Sequence, residues 1–251
     1  MDAFVNMSAN LAVMAAALEG AGRLLMRDFG EIEQLQSSVG AAEKFAAVSY
    51  SKVEKAVIAS LAEARPKFGL VAPGGREARG SDISHRFIFN PMDGMEFFSR
   101  GIPAFAMTLA LQRQKEVIAA TVYNPLSDRM AYAEKGGGAM LRESRMTRRI
   151  RVSKRTSGGM FASGRSAVFG PDSIALSYLA CGAIDGYVGR GRDVFAVAAG
   201  LLVAREAGAM VRAFSADGMP AQSYLDADVI IAENNSLQPT LADIIMKKGA
   251  K

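Results

Sequence analysis

Apolar residues near the start of the chain recur at helical spacing. Phe4, Leu11, Met14, Leu18 and Leu25 share a stripe, which predicts an amphipathic helix from Ala3 to Phe29 that packs on a sheet. Val53, Ala56, Val57 and Leu61 form a second stripe, predicting a helix from Ser49 to Ala64 that Pro66 closes. The pattern then shortens. Phe87-Ile88-Phe89 reads as a short strand ended by Pro91, and Phe105 to Gln112, Val117 to Tyr123 and Arg129 to Glu134 read as an antiparallel run. Gly136-Gly137-Gly138 reads as a flexible turn before Ala139-Met140-Leu141. Further on come helices from Ser173 to Gly182 and from Ala196 to Ala207, with edge strands near Met210 to Ala213 and Val229 to Ala232. The order is that of an α/β (α+β) protein.

Composition narrows this picture. With 251 residues, half of them hydrophobic, the chain can bury a substantial core and is not a disordered segment. No apolar run is expected to reach the length of a membrane span, and Met1-Asp2 lacks the basic start of a secretory signal, so a cytoplasmic protein with no membrane partner is expected. The single cysteine, Cys181, excludes an intrachain disulfide and reads as a small core residue in an apolar helical stretch. His85 has no His or Cys companions with which to build a zinc site and reads as a surface or strand-edge residue.

The most informative chemistry lies in Asn90-Pro91-Met92-Asp93-Gly94-Met95. Asp93-Gly94 makes a turn whose backbone N–H groups, at Gly94 and Met95, could start a helix and receive a phosphate. Asp93 beside them could hold Mg²⁺, which takes oxygen ligands. Taken alone, the loop reads first as an ordinary strand-to-helix turn capped by Asp93.

Its surroundings resemble the inositol monophosphatase family. The resemblance rests on Gly101-Ile102-Pro103-Ala104-Phe105-Ala106, Ala120-Thr121-Val122-Tyr123-Asn124-Pro125 and Ala133-Glu134-Lys135-Gly136-Gly137-Gly138-Ala139. Asp185-Gly186-Tyr187 and Ala198-Ala199-Gly200, through to Glu206-Ala207-Gly208, extend it, as does the Ala64 to Gly69 approach. It implies a layered α-β-α-β-α sandwich, here read as an N-terminal part over 1–153 and a shortened C-terminal part over 154–251. It also implies a Mg²⁺-dependent phosphatase, commonly a dimer, with bacterial relatives that associate with transcription complexes.

Carried over position by position, the family's carboxylate cage is thin in this chain. Pro73 and Gly74 stand where the family has Glu-Glu, and Asn90 and Met95 replace the first Asp and the Thr of its Asp-Pro-hydrophobic-Asp-Gly-Thr motif. Phe195-Ala196 replaces Trp-Asp, so Ala196 marks another lost ligand. Gly189 stands where a substrate-contacting Glu is common, while Lys44 and Tyr50 replace early Asp residues. Asp93 alone is intact, with Asn90 as a degenerate metal neighbour and Glu96, Asp193 and Glu77 as stand-ins. The segment between Ser153 and Phe169 is shorter than in the family and is expected to keep a strand and lose a helix.

Charge adds a different clue. Thirty basic against 25 acidic residues give +5, with Arg142, Arg145, Arg148, Arg149, Arg151, Lys154 and Arg155 crowded into one segment. Such a run suits a nucleic-acid or acidic protein partner, or else a solvated hairpin edge. Lys247 to Lys251 reads as a frayed basic tail. Two expectations of different class follow: a catalytically degenerate family member acting as a binding or assembly module, or a weak Mg²⁺-dependent phosphatase for a small phosphate monoester. A metal-free phosphate sensor at Gly94 stands as a third.

Overall fold

The computed structural model describes residues 7–36, 38–144, 146–164 and 169–248. Two long helices open the chain, α1 (Ala9–Ile32) and α2 (Val39–Ala64). α2 starts ten residues before the apolar stripe suggests, because Ser38 caps it by accepting the Ala41 N–H. Both helices pack on one face of an eight-stranded sheet. In chain order its strands are β1 (Phe68–Ala72), β2 (Arg76–Ala78), β3 (Asp82–Asp93), β4 (Ala106–Arg113), β5 (Glu116–Asn124), β6 (Arg129–Glu134), β7 (Gly138–Glu143) and β8 (Met146–Ile150). The spatial order is β2-β1-β3-β4-β5-β6-β7-β8, antiparallel except where β1 meets β3.

A second sheet follows, of order β11-β12-β10-β9, from β9 (Phe161–Ser163), β10 (Gly186–Arg190), β11 (Met210–Phe214) and β12 (Val229–Glu233). Between the sheets lie α4 (Asp172–Ala180) and α5 (Val194–Glu206), and α6 (Leu241–Lys248) covers the outer face of the second sheet. Five layers result, α-β-α-β-α, as the resemblance implied. α5 has to be apolar all round because each face meets a sheet or α4, and Ala196 to Ala204 is continuously buried. Gly200 lets α4 come close, since a Cβ there would meet Leu176 Cβ at 2.8 Å.

Several sequence expectations need correction. β3 does not stop at Pro91 but runs twelve residues to Asp93. Its pairing with β4 is irregular between Asn90 and Asp93, and a bulge there accommodates a proline without an N–H. β12 is an interior strand, paired on both sides, not an edge. The triple-glycine turn is held rather than free: Gly136 and Gly138 donate their N–H groups to the Glu206 carboxylate, each at 2.9 Å, at positive φ. α1 is long and apolar enough to cross a membrane by length and composition, contrary to expectation, yet its apolar stripe is spent on the core of this fold. Its predicted start, Ala3 to Asn6, lies outside the described residues, as do Arg145 and Gly249 to Lys251.

His85 is neither a surface nor an edge residue. It lies half-buried on β3 between two paired strands, stacked on Phe68 with 4.8 Å between ring centroids, and its Nδ1 is 2.8 Å from Asp82 Oδ2. Cys181 ends α4 and is half-buried. Burial pushes its thiol above the ordinary value, away from thiolate reactivity. In the segment between Ser153 and Phe169 a three-residue strand, β9, is present, and no α-helix occurs among the described residues between it and α4.

Candidate active site

β3 delivers Asn90 and Asp93 to the end of the sheet where α4 and α5 begin. Asn90 is buried, and its Oδ1 accepts the Met92 N–H at 3.1 Å, which closes the bulge around Pro91. Asp93 is buried too; its Oδ2 accepts the backbone N–H of Ser173 at 2.9 Å. Burial raises its carboxyl to about 7, with the Asp172 and Glu96 charges adding and the Ser173 contact opposing. Gly94 follows at φ +94° and caps the five-residue helix α3 (Met95–Ser99). It is buried, and an added Cβ would meet the Ala104 carbonyl oxygen at 2.6 Å and Pro171 Cγ at 3.0 Å. Met95 is exposed.

The neighbouring residues are committed mainly to one another. Asp172, at the start of α4, is 2% exposed. Its Oδ1 accepts the Tyr187 hydroxyl at 2.7 Å, and its Oδ2 accepts Arg192 Nε at 2.6 Å. Burial pushes the Asp172 carboxyl up, opposed by the Tyr187 bond and the Arg192 charge. The Tyr187 hydroxyl is also pushed up, by burial and then by the Asp172 charge. Gly189 makes this knot sterically possible: a Cβ there would stand 2.6 Å from Tyr187 Oη and 2.7 Å from Arg192 Cγ.

A second ion pair, with its acid buried and its arginine 55% exposed, lies between α2 and the β1–β2 hairpin. Glu54 is fully buried and forms an ion pair with Arg76 at 2.9 Å. Burial raises its carboxyl, against the pull of Arg76. The Tyr50 hydroxyl is pushed up to about 12 by burial, the Glu54 charge and, more weakly, Asp193. Pro73, Gly74 and Gly75 form the hairpin turn, the glycines at φ +77° and +75°. No side-chain oxygen comes from Pro73 or Gly74, and Ala196 is buried at the start of α5.

The stand-in carboxylates do not converge. Asp193 caps α5 by accepting the Phe195 N–H at 3.0 Å. Glu77 is exposed on β2 beside Arg79, at 3.6 Å, and Glu96 is exposed on α3. Among the described residues there is no group of three or more His, Cys, Asp or Glu placed to hold a metal. Sequence reasoning found Asp93 and Asn90 but missed Asp172, Tyr187, Arg192, Glu54 and Arg76. An acid at the head of an otherwise apolar helix was the signal for Asp172. Arg192 carried no local signal at all.

The basic segment divides. Arg142 is not a surface cation: it is buried, paired with Glu19 and 3.7 Å from Asp128. Arg155 forms an ion pair with the buried Asp185 at 2.8 Å. Arg148 and Arg149 lie exposed on β8, the edge of the large sheet, with Arg151 exposed just beyond it. That is the arrangement of a charged edge strand.

Residues 7–169 match the family model described as "Inositol monophosphatase family". The chain is 36% identical over 262 residues to the inositol-1-monophosphatase of Mesorhizobium japonicum, covering 96% of this chain and 97% of the relative. It is 28% identical over 267 residues to the Nus factor SuhB of Xylella fastidiosa, covering 94% of each. Among solved structures it is similar to the extragenic suppressor protein suhB of Bartonella henselae, with a TM-score of 0.76, 32% identity and coverage of 92% of this chain and 95% of that one. The chain belongs to the inositol monophosphatase family.

Proposed function

We propose that this chain uses the phosphatase fold as a binding or assembly module and does not run metal-dependent hydrolysis at the Asp93 cleft. One observation carries the proposal: the Asp172 carboxylate, which could otherwise face a ligand beside Asp93, is bonded to Tyr187 and Arg192. The family generally works with Mg²⁺, but the residues present here do not fit that ion. Mg²⁺ gives up its water reluctantly and is bound through carboxylates, whereas Pro73, Gly74 and Ala196 offer no oxygen and Asn90 offers a neutral one already bonded to Met92. Binding would fall instead to surfaces such as the exposed arginines of β8, toward an acidic protein or nucleic acid, or to a second copy of the chain. A cytoplasmic setting agrees with that role, and one relative bears the name Nus factor.

The other reading is a Mg²⁺-dependent phosphatase for a small phosphate monoester. It is favoured by near full-length likeness to a relative named inositol-1-monophosphatase. Asp93, Asn90 and Glu96 would then hold one ion, with Gly94 and Met95 toward phosphate. Calorimetry with Mg²⁺, run beside phosphate-ester turnover on the same sample, separates the two. Silence in both supports the module. Binding at roughly millimolar or tighter, with turnover that Asp93→Ala abolishes, overturns it.

A further inference from the structure

Away from Asp93, the fold leaves a polar hollow of roughly 660 Å³ between the β4–β5 turn, the C-terminal end of α5 and the loop before β12. β4 separates the two places: Ala106 pairs with Asp93 at one end and Arg113 with His85 at the other, seven residues or about 23 Å along the strand. Arg113, Lys115 and Arg205 line the hollow, and none of the three makes an ion pair among the described residues. Glu116 is already neutralised by Lys135 at 2.6 Å, and Asp226 is exposed in the loop before β12. A second observation adds to these: the Tyr224 hydroxyl is buried beside Arg205, whose guanidinium carbon is 5.8 Å from the ring centroid and whose charge acts on that hydroxyl.

Three cations around one concavity, none with a carboxylate partner among the described residues, raise the local concentration of anions. The Tyr224 hydroxyl beside Arg205 can accept from that guanidinium and still donate its own proton to a ligand. Gln222 adds amide donors and an acceptor on the same wall. We infer that this hollow is a binding site for a small hydroxylated dianion, its charged group held by Arg113, Lys115 and Arg205 and its hydroxyls by Tyr224, Gln222 and Asp226. The site is independent of whether the Asp93 cleft retains any chemistry.

Calorimetric titrations with ribose 5-phosphate and with tartrate, against neutral ribose, test the inference and distinguish a phosphate from a carboxylate headgroup. Saturable binding of at least one anion, none of ribose, and a tenfold or greater weakening in Arg113→Ala/Lys115→Ala are expected. Both side chains are exposed, so the double variant should melt with the parent. Tyr224→Phe keeps the ring and should weaken the same anion about threefold. No saturable binding of either anion, or binding that survives the double variant unchanged, overturns the site. Binding that is lost in Asp93→Ala but kept in the double variant overturns it equally, by assigning the anion to the other cleft.

Discussion

At the N-terminal end of α5 the Arg192 guanidinium is bonded to the Asp172 carboxylate, which also takes the Tyr187 hydroxyl. At the C-terminal end Arg205 lies over the Tyr224 ring and has no carboxylate partner among the described residues. The two arginines are chemically identical and belong to the same helix region, but burial separates them. The Asp172 carboxylate is 1% exposed and would be left charged in the interior without Arg192, whereas Arg205 is solvated and its cation costs little to leave open. Polar groups that are buried must complete one another; those at a wet rim can wait for a ligand. The Asp93 end has become internal structure on this view, and the Arg205 end retains capacity for binding.

The largest expected effect comes from cutting the buried end. Arg192→Ala should cost about 3 kcal/mol in denaturant melts, the lower part of the range for a broken buried pair because Arg192 is 28% exposed. Adding Asp172→Asn should return much of that loss. Arg205→Ala should stay within about 0.5 kcal/mol. Equal losses at the two ends would break the comparison. Arg142 tests the same rule in the basic segment: Arg142→Ala strips Glu19 of a buried partner and should cost roughly 2 kcal/mol, while Arg148→Ala and Arg149→Ala should be nearly silent in stability. Gly189→Ala sharpens the picture further. Its Cβ would press on Tyr187 Oη and Arg192 Cγ, so about 1–2 kcal/mol should be lost by overpacking, and the loss should shrink in an Arg192→Ala background.

What the sequence made legible follows from the range of the interactions concerned. The stripe of Leu11, Met14, Leu18 and Leu25 is a local pattern, and all four residues are buried in α1 as it requires. The antiparallel run from β4 to β7 was equally readable because its connections are short turns. Pro91 misled because a bulge, visible only once β4 is paired, lets a strand carry a proline. Asp93 could be located by its motif, but its Ser173 partner is 80 positions away. A still longer separation hid Arg142 among surface arginines, since its partner Glu19 comes from α1, 123 positions earlier. Gly189 registered as a missing glutamate; only the packed site shows that any side chain there would strike Tyr187 and Arg192.

The smallest effect expected is a pH slope, and it probes the buried end from its other side. Glu54 is fully buried against Arg76, and burial raises its carboxyl above the ordinary value despite that cation. The folded chain therefore binds a proton at a higher pH than the unfolded chain, whose Glu titrates at about 4.3. Below that unfolded value both states are protonated and the group contributes no slope. As pH rises through the window between the unfolded and the raised folded value, the unfolded state gains more from ionisation, and stability falls. Glu54→Gln keeps the shape and removes the titration, so its melts should lose that acid-side slope and should gain on the parent as pH climbs through the window. Arg76→Gln should steepen the slope instead, because removing the cation raises the Glu54 carboxyl further. If the parent and Glu54→Gln trace parallel stability curves across the window, Glu54 is solvated rather than buried, and its pairing with Arg76 belongs with the open end of the molecule instead of the closed one.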